Sequence, residues 1–318
     1  MFSIQKIPFG KSRLLRAANR NGITLDILPD YGAALNSFFI PSGDGSTLID
    51  ILDGYSHENE PEETGALYKG VFLFPFPNRL RDGVWQNEGI EFHFPINEPN
   101  RNNALHGTLF NCSFEVVETT GTAEMAFIHL RYVSDGKNIF YPFQYQIDIE
   151  YILTDTDGLC IRTQVSNLGQ KTLPFGLGWH PYFKTGKPVD DWIIQLPGVQ
   201  ALEVDDRMIP TGNLFPYRHF DLPQAFGTTT LDTGFQLNET ERFVVQVMIP
   251  EQKLKFSVWQ WAGQEGYRYV QIYSPPHRNS LAIEPMSCAA NALQTGSSGI
   301  IFLEAGSSQT FEWGIHFR

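Results

Sequence analysis

The residues of this chain best placed to move a proton are a histidine held in a glycine, aromatic and proline frame and a glutamate held against a proline. His180 lies in Leu177-Gly178-Trp179-His180-Pro181-Tyr182-Phe183. Pro181 biases His180 toward extended backbone, and Gly178 lets a neighbouring chain come close. A titratable ring on so rigid a platform is suited to giving or taking a proton near neutral pH. Trp179, Tyr182 and Phe183 offer flat apolar faces of the kind on which sugar rings stack. A lone histidine among aromatics is also commonly a hydrogen-bonded core residue, so the local pattern leaves both readings open. Glu284 supplies the base that an acid needs. It follows the apolar run Leu281-Ala282-Ile283 and precedes Pro285, which predicts a buried strand that stops at the proline and presents the carboxylate there. Burial disfavours the ionised carboxyl and raises its pKa, so Glu284 is the general-base candidate, with a surface glutamate at a strand end as the plainer reading.

Groups that could hold hydroxyls are spread around this pair. His106 lies in Asn102-Asn103-Ala104-Leu105-His106-Gly107-Thr108, where the asparagines are either hydroxyl binders or turn formers. Asn78 and Arg79 follow the stiff run Phe74-Pro75-Phe76-Pro77, and a guanidinium offers fixed donors to sugar oxygens or to an anion. Arg81 belongs with Asp82 and Gly83 in a turn, and Asp232, in Thr230-Leu231-Asp232-Thr233-Gly234-Phe235, can accept hydrogen bonds from hydroxyls. Nucleotide loops, the serine-hydrolase elbow and paired metal-ligand histidines are missing as motifs. A zinc or copper site from His93, His106 and His180 stays open, because ligands can converge from distant strands, although no local spacing asks for it.

Strands must position these groups. From Phe143 to Tyr151 apolar and polar residues alternate strictly, and Thr154-Asp155-Thr156-Asp157-Gly158 is turn chemistry before a second alternation from Leu159 to Val165. The same grammar recurs from Phe243 to Ile249, through Pro250-Glu251-Gln252, into Leu254 to Val258, and again from Phe311 to Phe317. Helical period is confined to short stretches near Glu60 to Leu67 and Ala289 to Leu293. Consecutive hairpins without crossover helices imply an all-β chain of antiparallel sheets packed face to face. The polar segments Asn97 to Asn103 and Pro216 to Thr230 read as loops rather than interdomain linkers, so residues 1–318 are expected to form one domain.

The formal net charge of −12 argues against nucleic acid or an anionic membrane as partner and favours an uncharged or cationic small ligand. Cys112, Cys160 and Cys288 are odd in number and show no C-x-x-C spacing, which reads as reduced thiols in a cytoplasm. No long apolar run predicts a membrane span or a secretory leader.

Taken in order, Asn78-Arg79, the N-x-x-H-G of Asn103 to Gly107, the G-x-H-P-Y-F of Gly178 to Phe183, the D-x-x-F of Asp232 to Phe235 and Glu284-Pro285 resemble the aldose 1-epimerase (galactose mutarotase) family. The resemblance covers most of the chain. It implies the antiparallel β-supersandwich of the galactose mutarotase type and a cofactor-independent isomerase interconverting the α and β anomers of a free aldohexose such as galactose or glucose. Glu284 would take the proton from the anomeric hydroxyl and His180, as imidazolium, would protonate the ring oxygen. His106 and Arg79 would hold ring oxygens and hydroxyls, Asn78 would join them in binding the sugar, and Asp232 would bind the hydroxyls far from the anomeric carbon.

Two departures stand out. Gly107 is followed by Thr108 where many members have a second glycine, and Asn78-Arg79 is preceded by Phe-Pro in place of a glycine-arginine-tyrosine run. The competing readings are a hexose-6-phosphate 1-epimerase, which needs clustered positive charge, and a sugar-binding or sensing protein of the same fold without turnover. The expected partner is a small monosaccharide, with the chain as a monomer or homodimer.

Overall fold

The computed structural model describes residues 1–63, 68–238, 241–263 and 266–317. The alternation from Phe143 becomes strand Gln144–Thr154, which turns back at Gly158 into strand Gly158–Asn167, with Thr154 opposite Gly158 and Ile149 opposite Thr163. The second hairpin joins Arg242–Ile249 to Leu254–Trp261 through the 3-10 turn Pro250–Gln252. Strand Ser308–Phe317 lies between the two hairpins and pairs with both, so residues far apart in sequence close a nine-stranded antiparallel sheet.

An eight-stranded sheet faces it. Its central strands are Asp232–Leu237, Tyr269–Tyr273 and Leu281–Met286, followed by Gly178–Trp179 and Phe72–Leu73, with Tyr182–Phe183 also paired to Leu281–Met286. Period-two alternation sends Phe235, Val270, Ile272 and Ile283 into the shared core, where they meet Ile147, Ile149, Phe311 and Ile315 of the larger sheet. Large rings fill the middle: Trp179 lies 5.7 Å from Trp313 and Phe183 lies 5.3 Å from Phe256, centroid to centroid. Trp179 and Phe183 are thus fully buried core residues, not the stacking faces expected from the sequence. The same alternation that aims His180 one way aims them the other.

The expected stop at Pro285 does not occur, because strand Leu281–Met286 runs straight through it. Its partner along one edge breaks at His180-Pro181, between Gly178 opposite Met286 and Tyr182 opposite Ala282. Ile283 N–H donates to Pro181 O across that break, and the nitrogen of Pro285, two residues on, faces the same edge. A proline is tolerated there because its missing donor falls where the ladder is already interrupted.

A third, five-stranded antiparallel sheet is formed by the chain from Phe2 to Asp50. Among the described residues α-helix is limited to Glu60–Glu63 and Ala292–Thr295, and the remainder of the stretch to Leu67 lies outside them. Asn97 to Asn103 contains the 3-10 turn Pro99–Arg101, and Asp82-Gly83 forms the turn after strand Arg79–Arg81. Among the described residues no helix is long and apolar enough to cross a membrane.

Candidate active site

One wall of the site is the face of the eight-stranded sheet turned away from the core. Strand register sets Gln271 directly opposite Glu284, and Asp232 opposite Tyr273 in the next row. The strands that bury Val270, Ile272 and Ile283 on one side therefore present Gln271, Tyr273 and Glu284 on the other. His180 enters at the break in the ladder. Its N–H donates to Val71 O at 3.1 Å and its carbonyl accepts from Gly70 N–H at 2.8 Å, so the backbone is held although the strand is interrupted. The imidazole stacks on Tyr182 at 4.8 Å and turns Nε2 to within 3.5 Å of Glu284 Oε1. Gly178 is required by packing, since a Cβ there would lie 2.9 Å from Pro77 Cβ and 3.0 Å from Pro285 O.

The opposite wall is built from the Asn78 and His106 segments, which lock one another. His106 N–H donates to Asn78 O at 2.9 Å, and Asn78 N–H donates to His106 Nδ1 at 3.1 Å. Both residues have positive φ, 59° and 64°. Because Nδ1 accepts, the neutral ring carries its hydrogen on Nε2, which leaves that N–H as the donor for the cleft. Gly107, at φ 67°, is irreplaceable, since a Cβ would stand 2.2 Å from Phe74 O. Thr108 makes its contact through backbone, N–H to Phe74 O at 2.8 Å, and a second glycine is not needed. Nor does the Phe-Pro lead-in keep Arg79 out, since Phe76 packs on Phe94 in the core and Arg79 still reaches the cleft.

Arg79 ties the walls together. Its Nε and Nη2 donate to Glu98 as a forked pair, 3.0 Å each, and Nη2 lies 3.7 Å from Asp232 Oδ2. Asp232 also accepts from Gln271 Nε2 at 2.6 Å. Glu284, His180, His106, Arg79, Asp232 and Asn78 all line one cavity of about 340 Å³, large enough for a sugar ring. Polar groups dominate its lining, with Tyr68, packed 4.5 Å from His106, as an apolar wall.

Burial sets the protonation of this cluster. Glu284 is 2% exposed, and desolvation, reinforced by the Asp232 carboxylate, pushes its carboxyl well above the usual range although Arg79 opposes it. Desolvation pulls His180 down to about 3 and holds His106 well below its ordinary value, the latter helped by His180 and Arg79. The sugar-free cleft therefore favours neutral His180 beside protonated Glu284, where the resemblance implied an imidazolium beside a carboxylate. The two forms contain the same number of protons and differ by one transfer across the 3.5 Å gap. Glu284 Oε2 is buried with no hydrogen-bond partner among the described residues.

Sequence reasoning missed Glu98, Gln271, Tyr68 and Tyr273. Gln271 was detectable, since a polar residue between Val270 and Ile272 breaks an apolar strand as Glu284 does. Glu98 and Tyr68 carry no local signal. His93 pairs with Glu91 on an exposed hairpin and does not line the cleft, so the three histidines do not converge. Among the described residues no group of three or more His, Cys, Asp or Glu side chains is arranged to hold a metal ion.

Comparison with known proteins agrees with this architecture. The aldose 1-epimerase family model matches residues 13–316. An uncharacterized protein of Escherichia coli K12, YihR, is 30% identical over 267 residues, covering 81% of this chain and 82% of its own. The galactose mutarotase of Rattus norvegicus is 30% identical over 199 residues, 61% of this chain and 55% of its own. A solved galactose mutarotase-like protein from Clostridium acetobutylicum superposes with a TM-score of 0.86 at 21% identity, over 100% of this chain and 98% of that one. The fold is thus the galactose mutarotase β-supersandwich. With a family match that spans both sheets and every residue of the cleft, the chain belongs to the aldose 1-epimerase family, whose members are isomerase-type enzymes.

Proposed function

We propose that this protein interconverts the α and β anomers of a free aldohexose such as galactose or glucose. The observation that carries this reading is the 3.5 Å separation of His180 Nε2 and Glu284 Oε1 at the buried end of a polar cleft. The hydroxyl oxygen O1 and ring oxygen O5 of a pyranose are both bonded to C1, so the base for one and the acid for the other must stand side by side. Carboxyl pairs that work from opposite faces of a sugar are set about 5 Å or more apart.

Glu284 takes the proton from O1, the C1–O5 bond breaks as C1=O1 forms, and His180 gives its proton to O5. Rotation about C1–C2 presents the other face of the aldehyde, and reclosure runs both transfers backwards. The pair thus holds one proton throughout, on His180 with the ring closed and on Glu284 with it open. Burial favours the second arrangement in the sugar-free cleft. The O1–H donor, the O5 acceptor and the charge on Arg79 favour the first once sugar binds. His106 Nε2–H, Arg79 and Asp232 orient the ring so that O1 and O5 meet the pair. General acid and base contributions of about 10²–10⁴ each suffice for a reaction that already proceeds slowly in water. A sugar binder without turnover would gain nothing from burying a carboxyl beside an imidazole, which costs stability.

Polarimetry on freshly dissolved α-D-galactose and α-D-glucose tests the proposal, with mutarotation faster than in buffer as the expected outcome and the buffer rate on both sugars as the contrary one. The pH dependence adds a sharper expectation. A second proton on the pair removes the base. Because burial pulls His180 to about 3, the acid limb of kcat/KM is expected well below 6.5, the ordinary imidazole value. Loss of the shared proton removes the acid, and the raised Glu284 carboxyl puts that alkaline limb well above 4.5, the ordinary carboxyl value. The plateau therefore lies between a lowered acid limb and a raised alkaline one, and an acid limb centred at an unshifted 6.5 would contradict the buried pair.

Asp232→Asn is expected to raise KM about tenfold while kcat stays within a few-fold, because it weakens a charged hydroxyl acceptor to a neutral amide and leaves the proton pair in place. It should also move the alkaline limb to lower pH, since the Asp232 carboxylate no longer opposes ionisation of Glu284.

A further inference from the structure

Glu98 is the carboxylate of the cleft that the reaction above does not use. Of the five N–H donors of Arg79, two are taken by Glu98, at 3.0 Å from Nε and 3.0 Å from Nη2. Nη1 lies 3.4 Å from Asn78 Oδ1. Arg101 is the other guanidinium lining the cleft, and it too donates to Glu98, Nη1 to Oε1 at 3.0 Å. The carboxylate is anchored from behind by Asn103 Nδ2 at 2.8 Å, and Asn103 is fully buried. Two backbone hydrogen bonds, Glu98 N–H to Asn103 O and Asn103 N–H to Glu98 O, at 3.1 and 3.2 Å, close the loop that carries it. Burial raises its pKa, but the hydrogen bonds from Arg79, Asn103 and Arg101 outweigh that and hold it below the usual carboxyl range. A fixed negative charge therefore sits between the two cations of the cleft, and Asp232 places another carboxylate on the far side of Arg79.

We propose that Glu98 sets the charge class of the substrate: clamped between Arg79 and Arg101, it joins Asp232 in balancing the two guanidinium charges an anionic sugar would need and reserves the free donors of Arg79 for hydroxyls of uncharged aldoses. This deepens the mutarotase reading and rests on it for the word substrate. An acid or phosphate group on the sugar would have to displace Glu98 from a doubly paired site or lie against two carboxylates, and like charges side by side are strongly disfavoured. Glu98 is thus a specificity-determining residue that acts through Arg79 and Arg101, and it is set apart from the Glu284–His180 pair that moves the proton.

D-Galactose and D-galacturonate share a ring and differ in a C6 hydroxymethyl against a carboxylate, so the change that a Glu98 variant makes in the ratio of their kcat/KM values, measured by polarimetry on the full chain, reads charge selection. Wild type is expected to favour galactose by about tenfold or more, and Glu98→Gln to narrow that ratio by about tenfold, the size of one charge-assisted hydrogen bond. Glu98→Asp keeps the charge and is expected to keep most of the preference, which tests the proposal even if the glutamine variant does not fold. A purely structural role would lower both activities together and leave the ratio unchanged, and that result overturns the proposal. Wild type taking galacturonate as readily as galactose overturns it without any variant. If wild type turns over neither sugar, the mutarotase reading fails separately, and selection is read from the binding of the same two sugars by saturation-transfer NMR in wild type and Glu98→Gln. Binding of neither sugar overturns both.

Discussion

Glu284→Gln is expected to lower kcat on free galactose or glucose by about 10²–10⁴-fold with KM little changed. The substitution keeps the shape of the side chain and its place opposite Gln271, but an amide cannot accept and return the proton on O1. His180→Asn should fall in the same range for the complementary reason, that no group then protonates O5. The two substitutions act on one shared proton. The double variant is therefore expected to be about as slow as the worse single one, not slower by the product. Polarimetric initial rates on the two single variants and the double check all three values. An additive double variant would mean that Glu284 and His180 work independently, which their 3.5 Å separation opposes.

Trp179→Ala should cost about 3–5 kcal/mol of stability, measured by chemical denaturation, because it empties the centre of the inter-sheet core. Trp179 is fully buried, 5.7 Å from Trp313 and 5.3 Å from Phe72, with Tyr151 edge-on at 6.2 Å. The residue that follows it is His180, so a collapse there also loosens the acid of the proposed pair. Trp179→Phe separates the two effects. It keeps an apolar ring in place, and it should lose less stability than the alanine variant while leaving KM unchanged. Were the indole a stacking surface for sugar, as the bare sequence suggested, the phenylalanine variant would instead hold its stability and raise KM.

The contrast between Trp179 and His180 marks where the sequence was legible. Alternation from Phe143 to Tyr151 and from Phe243 to Ile249 reads directly as antiparallel strands, because each such strand buries every second side chain. Which hairpins become neighbours does not read out. The C-terminal strand Ser308–Phe317 joins Gly158–Asn167 to Leu254–Trp261 through pairings that no local pattern encodes. Within Gly178 to Phe183 the rigid frame and its alternation were visible, but which of the two faces met the core was set only by the assembled sheets. Proline at 285 misled for a related reason: its nitrogen falls at the break in the ladder at Pro181, so the strand continues.

The cleft was legible to the extent that its chemistry is local. His180, Glu284, His106, Asn78, Arg79 and Asp232 each sit in a segment with a backbone constraint of its own, and the structure brings them to one cavity. Gln271 could have been noticed as a polar residue within an apolar strand. Glu98 could not, since its meaning comes from the two arginines and the asparagine that converge on it. The raised Glu284 carboxyl was legible from its apolar strand, but the depression of His180 was not, because it arises from burial that only the assembled sheets create.

The central claim, that Glu284 and His180 open and close a sugar ring at C1, is tested most directly by two-dimensional exchange NMR on D-galactose already at anomeric equilibrium. At equilibrium no optical change remains, and cross-peaks between the α and β anomeric protons report interconversion itself. The expected result is strong exchange cross-peaks with catalytic wild-type protein and none above the buffer level with Glu284→Gln. Cross-peaks of equal strength with both proteins, or none with wild type on galactose and glucose alike, would contradict the account.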